Sequence, residues 1–229
     1  MRDEIVSYRE MCDREGIQTL QRGMNYRLCT SYSVVLMSRR SNAPYSDQIL
    51  KDGETIEYEG HDTSKRIGAR DPKSVDQPCS LPSGKLTQNG LFVEAAKAYR
   101  RNERDPEIVR VYEKLFDGVW SDKGLFELID YKTVRLGRRN VFKFYLRATT
   151  DAQPSLPAET ELVHRRLIPS EVKKEVWKRD KGRCVICGRN DQLHFDHDLP
   201  WSKGGASITV QNVRLLCARH NLQKSDRIE

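Results

Sequence analysis

Two cysteine-containing pairs near the C-terminus have the spacing of metal ligands. Cys184 and Cys187 form a Cys-x-x-Cys pair, and Cys217 and His220 form a Cys-x-x-His pair. Thiolate sulfur and imidazole nitrogen at these spacings suit tetrahedral zinc, because each pair supplies two corners from one turn of chain. We therefore expect one structural zinc ion. The alternatives are four unrelated residues or a redox Cys-x-x-Cys, although no strand–helix pattern of a thioredoxin-like unit surrounds Cys184.

The stretch between the two pairs is too long for a small DNA-reading zinc finger. It contains 29 residues, whereas the pairs of a two-strand, one-helix finger lie about 12 residues apart. It encloses Asp196-His197 and then Asn212, and Asn221 comes directly after the last zinc ligand. A purely structural zinc module has no need of these side chains, so the pattern indicates a second, chemical role.

The segment 183–224 closely resembles the HNH nucleases, whose site is a zinc-stapled hairpin and helix, the ββα-metal fold. The resemblance implies that Asp196 and Asn221 hold one divalent cation. It also implies that His197 is the general base that activates water and that Asn212 orients the loop carrying His197. The chain departs from the His-Asn-His lettering, since Asp stands first and Asn last. Both changes keep an oxygen donor for a hard cation, Mg²⁺ or another divalent ion, so they bear on the identity of the metal.

Hydrolysis of a phosphodiester explains why these residue types are needed. At neutral pH the reaction requires a deprotonated water in line with the leaving oxygen, and an imidazole with a pKa of about 6.5 is suited to take that proton. A cation held by a carboxylate and an amide keeps open positions for phosphate oxygens. Lys203 and Lys224 are candidate phosphate contacts or solvated surface lysines, and His194 has either a structural or a functional role.

The positive charge of the 229-residue chain is concentrated around these motifs. Residues 163–229 contain 14 Lys and Arg against 8 Asp and Glu, a net charge of +6, which leaves +1 of the total +7 for residues 1–162. A basic excess of this kind suits an approach to the phosphate backbone, although many basic proteins bind no nucleic acid.

The sequence carries no signal for a membrane or for secretion. No hydrophobic run approaches the roughly 20 residues that span a bilayer, and the N-terminus lacks the apolar core of a signal peptide. We therefore expect a cytoplasmic protein with no membrane partner. Zinc uses three of the six cysteines, and the others, Cys12, Cys29 and Cys79, are expected to be free thiols.

Short strands and one clear helix are the pattern of the first 150 residues. Runs rich in β-branched and aromatic residues predict strands at 33–37, 55–58, 109–112, 125–131 and 140–147. Helical spacing of Phe92, Ala95, Ala96 and Tyr99 predicts a helix over 91–101, and a second helix is expected at 2–14. The pattern indicates a sheet-rich, barrel-like α+β domain.

Four segments of this region, taken in order, resemble the SRA (SET and RING associated, or YDG) domain. They are 32–47, which contains Asn42-Ala43-Pro44-Tyr45-Ser46-Asp47; 52–62, which ends in Tyr58-Glu59-Gly60-His61-Asp62; 76–92; and 109–113 with 141–144. The match covers about 24–148. It implies a PUA-like β-barrel that binds modified cytosine in DNA.

The resemblance also implies a base-flipping pocket. The target nucleotide would rotate out of the duplex, and its base would lie between the rings of Tyr45 and Tyr58. Asp47 would accept from the cytosine 4-amino group, which discriminates cytosine from thymine. Where the eukaryotic SRA pattern has Gly-Gly before the first aromatic, this chain has Arg39 and Arg40. Each of the three pocket residues could instead be an ordinary strand or turn residue.

These features divide the chain into three parts. Residues 1–150 form an SRA-like reader, 151–168 a polar linker punctuated by proline, and 169–229 an HNH endonuclease domain. A helix is expected from Ser170 to about Asp180, with Ser170 as its N-cap.

The two resemblances together indicate a modification-dependent DNA restriction endonuclease of the bacterial kind. Its expected cofactors are structural Zn²⁺ and a catalytic Mg²⁺ or other divalent cation. Its expected partner is double-stranded DNA carrying 5-methylcytosine or 5-hydroxymethylcytosine, and a homodimer and a monomer both stay open. Two alternatives remain: an HNH nuclease whose N-terminal domain reads ordinary sequence, and a non-catalytic protein that binds modified DNA.

Overall fold

The computed structural model describes residues 3–29, 31–64, 71–149, 168–197 and 209–224. Within these ranges lie ten strands, four α-helices and two short 3-10 turns. The strands are β1 (Asp3–Ser7), β2 (Met24–Cys29), β3 (Tyr32–Met37), β4 (Gln48–Ile49), β5 (Thr55–Glu59), β6 (Glu107–Phe116), β7 (Val119–Leu136), β8 (Arg139–Ala148), β9 (Leu193–His197) and β10 (Val213–Cys217). The helices are α1 (Tyr8–Arg14), α2 (Gln88–Arg100), α3 (Ser170–Arg179) and α4 (Ala218–Lys224), and the 3-10 turns are Pro72–Ser74 and Val210–Asn212.

The ten strands belong to one sheet. Its main path runs β10-β9-β1-β7-β6-β3-β2, and β8, β5 and β4 branch from it at β7. The 18-residue β7 makes the branch, because its first residues pair with β1 and its later residues pair with β8, while β6 lies along its other edge. The predicted strands are confirmed with longer bounds, and β2, β4 and the N-terminal β1 are additional.

The N-terminal core lies inside the curve of this sheet. Buried apolar side chains from β3, β5, β7 and β8 meet helix α2, as Val35, Ile56, Phe126, Phe144 and Phe92 illustrate, each 0% exposed. In the described part of the chain no ladder joins β2 to β4, so the barrel is partly open. The expected sheet-rich α+β class is confirmed.

The C-terminal elements have a second core that reaches into the first unit. Val176 of α3, Phe195 of β9 and Leu215 of β10 are buried together. Leu115 of β6 belongs to the same cluster, and Ile5 of β1 packs against it. The apolar contact therefore crosses the predicted boundary between reader and nuclease.

The N-terminal strand corrects a sequence prediction. A helix was expected over 2–14, but residues 3–7 are extended and α1 begins at Tyr8, where Ser7 forms a capping box with Glu10. The extended form is favoured because β1 fills the gap between two strands, placing Val6 opposite Trp120 and Glu4 opposite His194. Partners this distant in sequence leave no mark on local helical periodicity.

Two further predictions concern the start of helix α3 and the linker that precedes it. Helix α3 is present, but its N-cap is Pro169, and the Ser170 hydroxyl donates to Glu113 instead of capping the helix. The predicted linker 151–168 lies, except for Ile168, outside the described residues. None of the helices in the described ranges is long and apolar enough to cross a membrane.

Candidate nuclease centre and base pocket

The four predicted zinc ligands come together in space. The ligand atoms of Cys184, Cys187, Cys217 and His220 all lie within 4.8 Å of one another. The Cys187 and Cys217 sulfurs are 3.8 Å apart, and His220 Nδ1 lies 3.4 Å and 3.3 Å from the sulfurs of Cys184 and Cys217. A tetrahedral ion with bonds of about 2.3 Å to sulfur and 2.0 Å to nitrogen would place such atoms about 3.5 to 3.8 Å apart. The donor set therefore fits zinc.

A tight turn presents the first pair of ligands. The N–H of Gly188 donates to the Cys184 carbonyl at 2.8 Å, and Gly188 has φ +74°, a left-handed conformation that favours glycine. Burial alone would raise the pKa of the Cys184 thiol, but N–H groups of Cys217, Cys187 and Ile186, together with His220, outweigh it and lower that pKa to about 6. The turn thus favours the thiolate that a metal requires.

The predicted catalytic pair ends strand β9. This strand pairs with β10 in antiparallel register, with His197 opposite Val213 and Asp196 opposite Arg214. Side chains alternate along a strand, so Asp196 shares a face with His194, while His197 lies on the face of the buried Phe195. His194, Asp196 and His197 are all half-buried. His194 also lies opposite Glu4 of β1, in the middle of three paired strands.

The two asparagines lie on elements that adjoin this strand. Asn212 ends the 3-10 turn and immediately precedes Val213, the residue paired with His197. Asn221 is on α4, which packs against β9 and β10. The structure thus places a carboxylate, an imidazole and two amides on a hairpin and helix that the Cys184, Cys187, Cys217 and His220 cluster closes, the ββα arrangement. Lys203 lies outside the described residues.

Helix α3 holds the other side of the hairpin. Arg179 donates to the carbonyl oxygens of Val210 and Val213, each at 2.7 Å, and Asp180 accepts from the N–H of Leu215 at 2.9 Å. These bonds satisfy backbone groups at the start of β10 and fix α3 against it.

A cavity of about 160 Å³ lies where the sequence predicts the base pocket. It is lined by Tyr45, Asp47, His61, Ser38, Gly23, Leu36, Ala43 and Pro44. A cavity of roughly 150 Å³ is known to accommodate a benzene ring, so the space is of the size of one six-membered ring. Tyr45 and Asp47 therefore meet at one site, as the sequence predicts.

Tyr58 lies behind the cavity and does not line it. It is 1% exposed, and its hydroxyl donates to the Gly23 carbonyl at 2.8 Å and lies 3.0 Å from His61 Nε2. The His61 ring stands between the two tyrosines: it stacks on Tyr45 at 4.9 Å and 7°, and it is 6.2 Å from Tyr58 at 37°. Burial, helped by the nearby Lys73, outweighs the opposing effect of Asp62 and lowers the pKa of His61 to about 4.

His61 was not singled out by the sequence, although it lies inside the Tyr58–Asp62 motif. Its backbone is fixed by Asn89, which accepts from the His61 N–H and donates to the His61 carbonyl, each at 2.8 Å. Gly60 permits this close approach, since a Cβ there would lie 2.8 Å from Asn89 and from Gln77. The signal that could have identified His61 is an aromatic ring three residues after a predicted stacking tyrosine.

Asp47 is buried and bonded on both oxygens. One accepts from the Glu59 N–H at 3.0 Å and the other from the Ser38 N–H at 3.1 Å. Burial raises the pKa of Asp47 to about 7, and these two N–H groups and Lys143 reduce the rise only in part. Each carboxylate oxygen keeps a second lone pair for another donor.

A basic groove of about 900 Å³ opens beside the cavity. Its charged and polar lining includes Arg39, Arg40, Lys73, Arg139, Tyr45 and Asp47. Lys73 lies over the Tyr45 ring, 4.2 Å from its centroid, and pairs with Asp62 at 2.9 Å. Arg139 also pairs with Asp62, at 2.6 Å. Cations held in this way are fixed at the groove wall, where a phosphate backbone would pass.

The model of the HNH endonuclease family matches residues 184–227. This segment contains both zinc pairs and all four predicted catalytic residues. The match confirms the predicted HNH segment: the C-terminal part of the protein carries an HNH endonuclease unit.

Comparison with solved structures finds loose likenesses. The SUVH5 SRA domain bound to fully hydroxymethylated CG DNA is 22% identical, with 69% of this chain and 93% of that chain covered and a TM-score of 0.45. A modification-dependent restriction endonuclease, TagI, is 18% identical, with 99% and 78% covered and a TM-score of 0.42. KRYPTONITE in complex with mCHG DNA and SAH is 16% identical, with 69% and 34% covered and a TM-score of 0.41. At these values no residue role is transferred. Comparison with curated proteins finds no match.

Proposed function

We propose that this protein is a modification-dependent DNA endonuclease, in which a reader formed by residues 1–150 binds a flipped modified cytosine and the HNH unit of residues 169–229 cuts the DNA. The observation that carries the proposal is the zinc-type cluster that closes one end of the β9–β10–α4 unit, with Asp196 and His197 at the other end of β9. The ring-sized cavity beside a basic groove adds the means to select a base.

The cutting step uses groups at the end of β9 and on α4. His197 takes the proton of the attacking water. Asp196 and Asn221 supply the oxygen donors for a divalent cation, Mg²⁺ or another hard ion. Such an ion would neutralise the charge that develops on the phosphate and leaving oxygens. Asn212 holds the chain next to His197 in position.

The zinc ion has a structural role in this proposal. Cys184, Cys187, Cys217 and His220 fill four tetrahedral corners and leave no open position, which is typical of structural rather than catalytic zinc.

The reading step uses the cavity. Tyr45 provides a stacking face, and Asp47, in its ionised form, accepts from the cytosine 4-amino group. Tyr58 supports the pocket from behind through His61, so its stacking role requires that His61 move away. Lys73 and His61 both lie against the Tyr45 ring, so a base that stacks there must displace one of them. Arg39, Arg40 and Arg139 would meet phosphates in the groove.

The test compares duplexes of one sequence that differ at a single cytosine, which is unmodified, 5-methylated or 5-hydroxymethylated. Binding is measured at several salt concentrations without a divalent cation, and cutting is measured after Mg²⁺ is added. Tighter binding and faster cutting of a modified duplex support the proposal. Equal affinity for all three duplexes would refute the reader and favour a sequence-reading HNH nuclease. Selective binding with no cutting in any divalent cation would leave a modified-DNA-binding protein.

A further inference from the structure

Five fully buried polar and charged side chains meet where the reader contacts helix α3. They are Glu113 of β6, Ser121 and Lys123 of β7, and Ser170 and Lys173 of α3, each 0% exposed. Three of the five come from the reader and two from the start of the C-terminal unit. A buried charged group is costly unless it is paired, so a cluster of this kind constrains every element that contributes to it.

Short contacts hold the cluster as two adjacent groups, and each group joins the reader to helix α3. Lys123 Nζ pairs with Glu113 at 2.8 Å, the Ser170 hydroxyl donates to the other oxygen of Glu113, and Lys173 Nζ donates to Ser121 Oγ at 3.1 Å. Burial alone would raise the pKa of Glu113, but Lys123, Lys173 and Ser170 outweigh it and lower that pKa to about 2. Glu113 is therefore ionised and neutralised from both units.

Lys173 links the cluster to the catalytic strand. Its Nζ lies 5.8 Å from the centroid of the Phe195 ring, a cation–π contact with the residue that immediately precedes Asp196. The cluster also reaches the groove, because Arg39 donates to the Ser170 hydroxyl at 3.0 Å and lines the groove beside Tyr45. The cluster thus lies between the groove beside the base pocket and strand β9.

Ionic contacts of this kind set a register that apolar contacts do not. The hydrophobic effect is non-directional and follows the area that is buried, so it does not by itself specify which residues are paired. A buried Lys or Glu that slides leaves its partner unpaired in a medium of low dielectric constant. Strand β1 adds a second constraint, because it pairs with β7 of the reader on one edge and with β9 on the other.

We propose that Lys173 is a positioning residue that fixes the HNH unit relative to the base pocket and so sets the distance between the recognised base and the cut phosphodiester. This proposal rests on the proposed function. It requires that the parent protein cut at a narrow set of distances from one modified cytosine, although the two units are joined through a predicted linker.

The experiment maps cut positions at nucleotide resolution on a duplex with a single modified cytosine. The variants are Lys173→Met, which keeps the length and apolar stem of the side chain, and Ser121→Ala, which removes only the oxygen that Lys173 contacts. The matched control is Lys174→Met, the same change at the neighbouring residue, whose side chain is partly exposed and pairs with Glu171 at 3.0 Å. Affinity for the duplex is measured separately without a divalent cation.

We expect Lys173→Met to bind the modified duplex as tightly as the parent and to cut at a broader range of positions. The rate at the parental position should fall by about 10- to 100-fold, as misplacement of a reacting group typically costs. Ser121→Ala should also broaden the range of cut positions, but by less, and Lys174→Met should cut at the same positions as the parent. If Lys173→Met does not fold, Ser121→Ala decides.

Two outcomes overturn the positioning role. One is an unchanged cut pattern and rate in folded Lys173→Met or, if that variant does not fold, in Ser121→Ala. The other is a parent protein that cuts a modified duplex at many distances with none preferred. A parent that neither prefers modified DNA nor cuts refutes the proposed function itself, and that result is seen before any variant is compared.

Discussion

The base pocket and the nuclease centre are held in place by different means. The pocket is formed largely by the loop between β3 and β4, which packs against a core that includes the long strands β6, β7 and β8, and its buried Asp47 accepts from two backbone N–H groups. The nuclease centre lies on two five-residue strands and a seven-residue helix. Elements this short have little stability of their own. The positions of the pocket residues are therefore fixed by the protein core, whereas those of the nuclease centre would be fixed by a bound metal ion and by the neighbouring unit.

Removal of a zinc ligand should have the largest effect, because it should stop cutting at the nuclease centre and leave binding at the base pocket intact. Cys184→Ser should lower the cutting rate by at least about 10³-fold, because a structural zinc supplies on the order of 10–16 kcal/mol of folding free energy. Selective binding of modified DNA should persist, since the pocket has its own core. Metal analysis and binding measurements check both statements, with Cys79→Ser, at a free half-buried thiol, as the control. Parental cutting by a zinc-free protein would contradict the assignment.

Loss of the general base should affect only the nuclease centre. His197→Ala should cut about 10²- to 10⁴-fold more slowly and should keep its zinc and its DNA affinity. His194→Ala, two residues earlier on the same strand, serves as the comparison and should stay within about tenfold of the parent if His194 is structural. Single-turnover cutting rates test this role of His197. A parental rate for His197→Ala would show that another group takes the proton.

Loss of the stacking face should affect only the pocket. Tyr45→Ala should weaken binding of the modified duplex by about 1–3 kcal/mol and should leave binding of unmodified DNA nearly unchanged. Arg40→Ala, at a groove position, should weaken all duplexes alike and reduce the salt dependence. Equal losses for modified and unmodified duplexes in Tyr45→Ala would mean that Tyr45 contacts the backbone instead of a base.

The smallest expected effect is a pH dependence of reading. Because the pKa of Asp47 is raised to about 7, its neutral form grows as pH falls, and a neutral acid is a poorer acceptor for an amino group. Binding that requires the carboxylate should therefore weaken by about tenfold between pH 8 and pH 6. Asp47→Asn, which has no ionisable group there, should remove this dependence. A parent affinity that stays constant over this interval would exclude the proposed contact.

The sequence predicts the nuclease centre better than the pocket. Cys184, Cys187, Cys217 and His220 act through spacing and chemistry that are visible in the chain, and the structure brings all four together. The position of Tyr58 depends on how a strand curves round the core. The alternation of apolar and polar residues along a strand does not reveal that curvature. In the structure the Tyr58 ring lies behind His61 rather than at the cavity.

Long-range polar contacts are also hidden from the sequence. Lys173 and Glu113 are 60 positions apart, and both read as ordinary surface charges in a chain where 32% of residues are charged. Only the packing of α3 against β6 brings both into one buried cluster, where Lys173 donates to Ser121 and Glu113 pairs with Lys123. The strand β1 escaped prediction for the same reason, since its pairing partners come more than 100 residues later.

The position of β1 has a consequence for the order of assembly. It precedes the other described elements in the chain, yet its second edge must wait for β9, which follows more than 180 residues later. Until then that edge presents unpaired N–H and C=O groups. A C-terminal unit produced alone would likewise have β9 as an exposed edge. The C-terminal unit therefore gains its third strand only from β1 of the N-terminal unit, and we expect this unit produced alone to be less stable than in the whole chain.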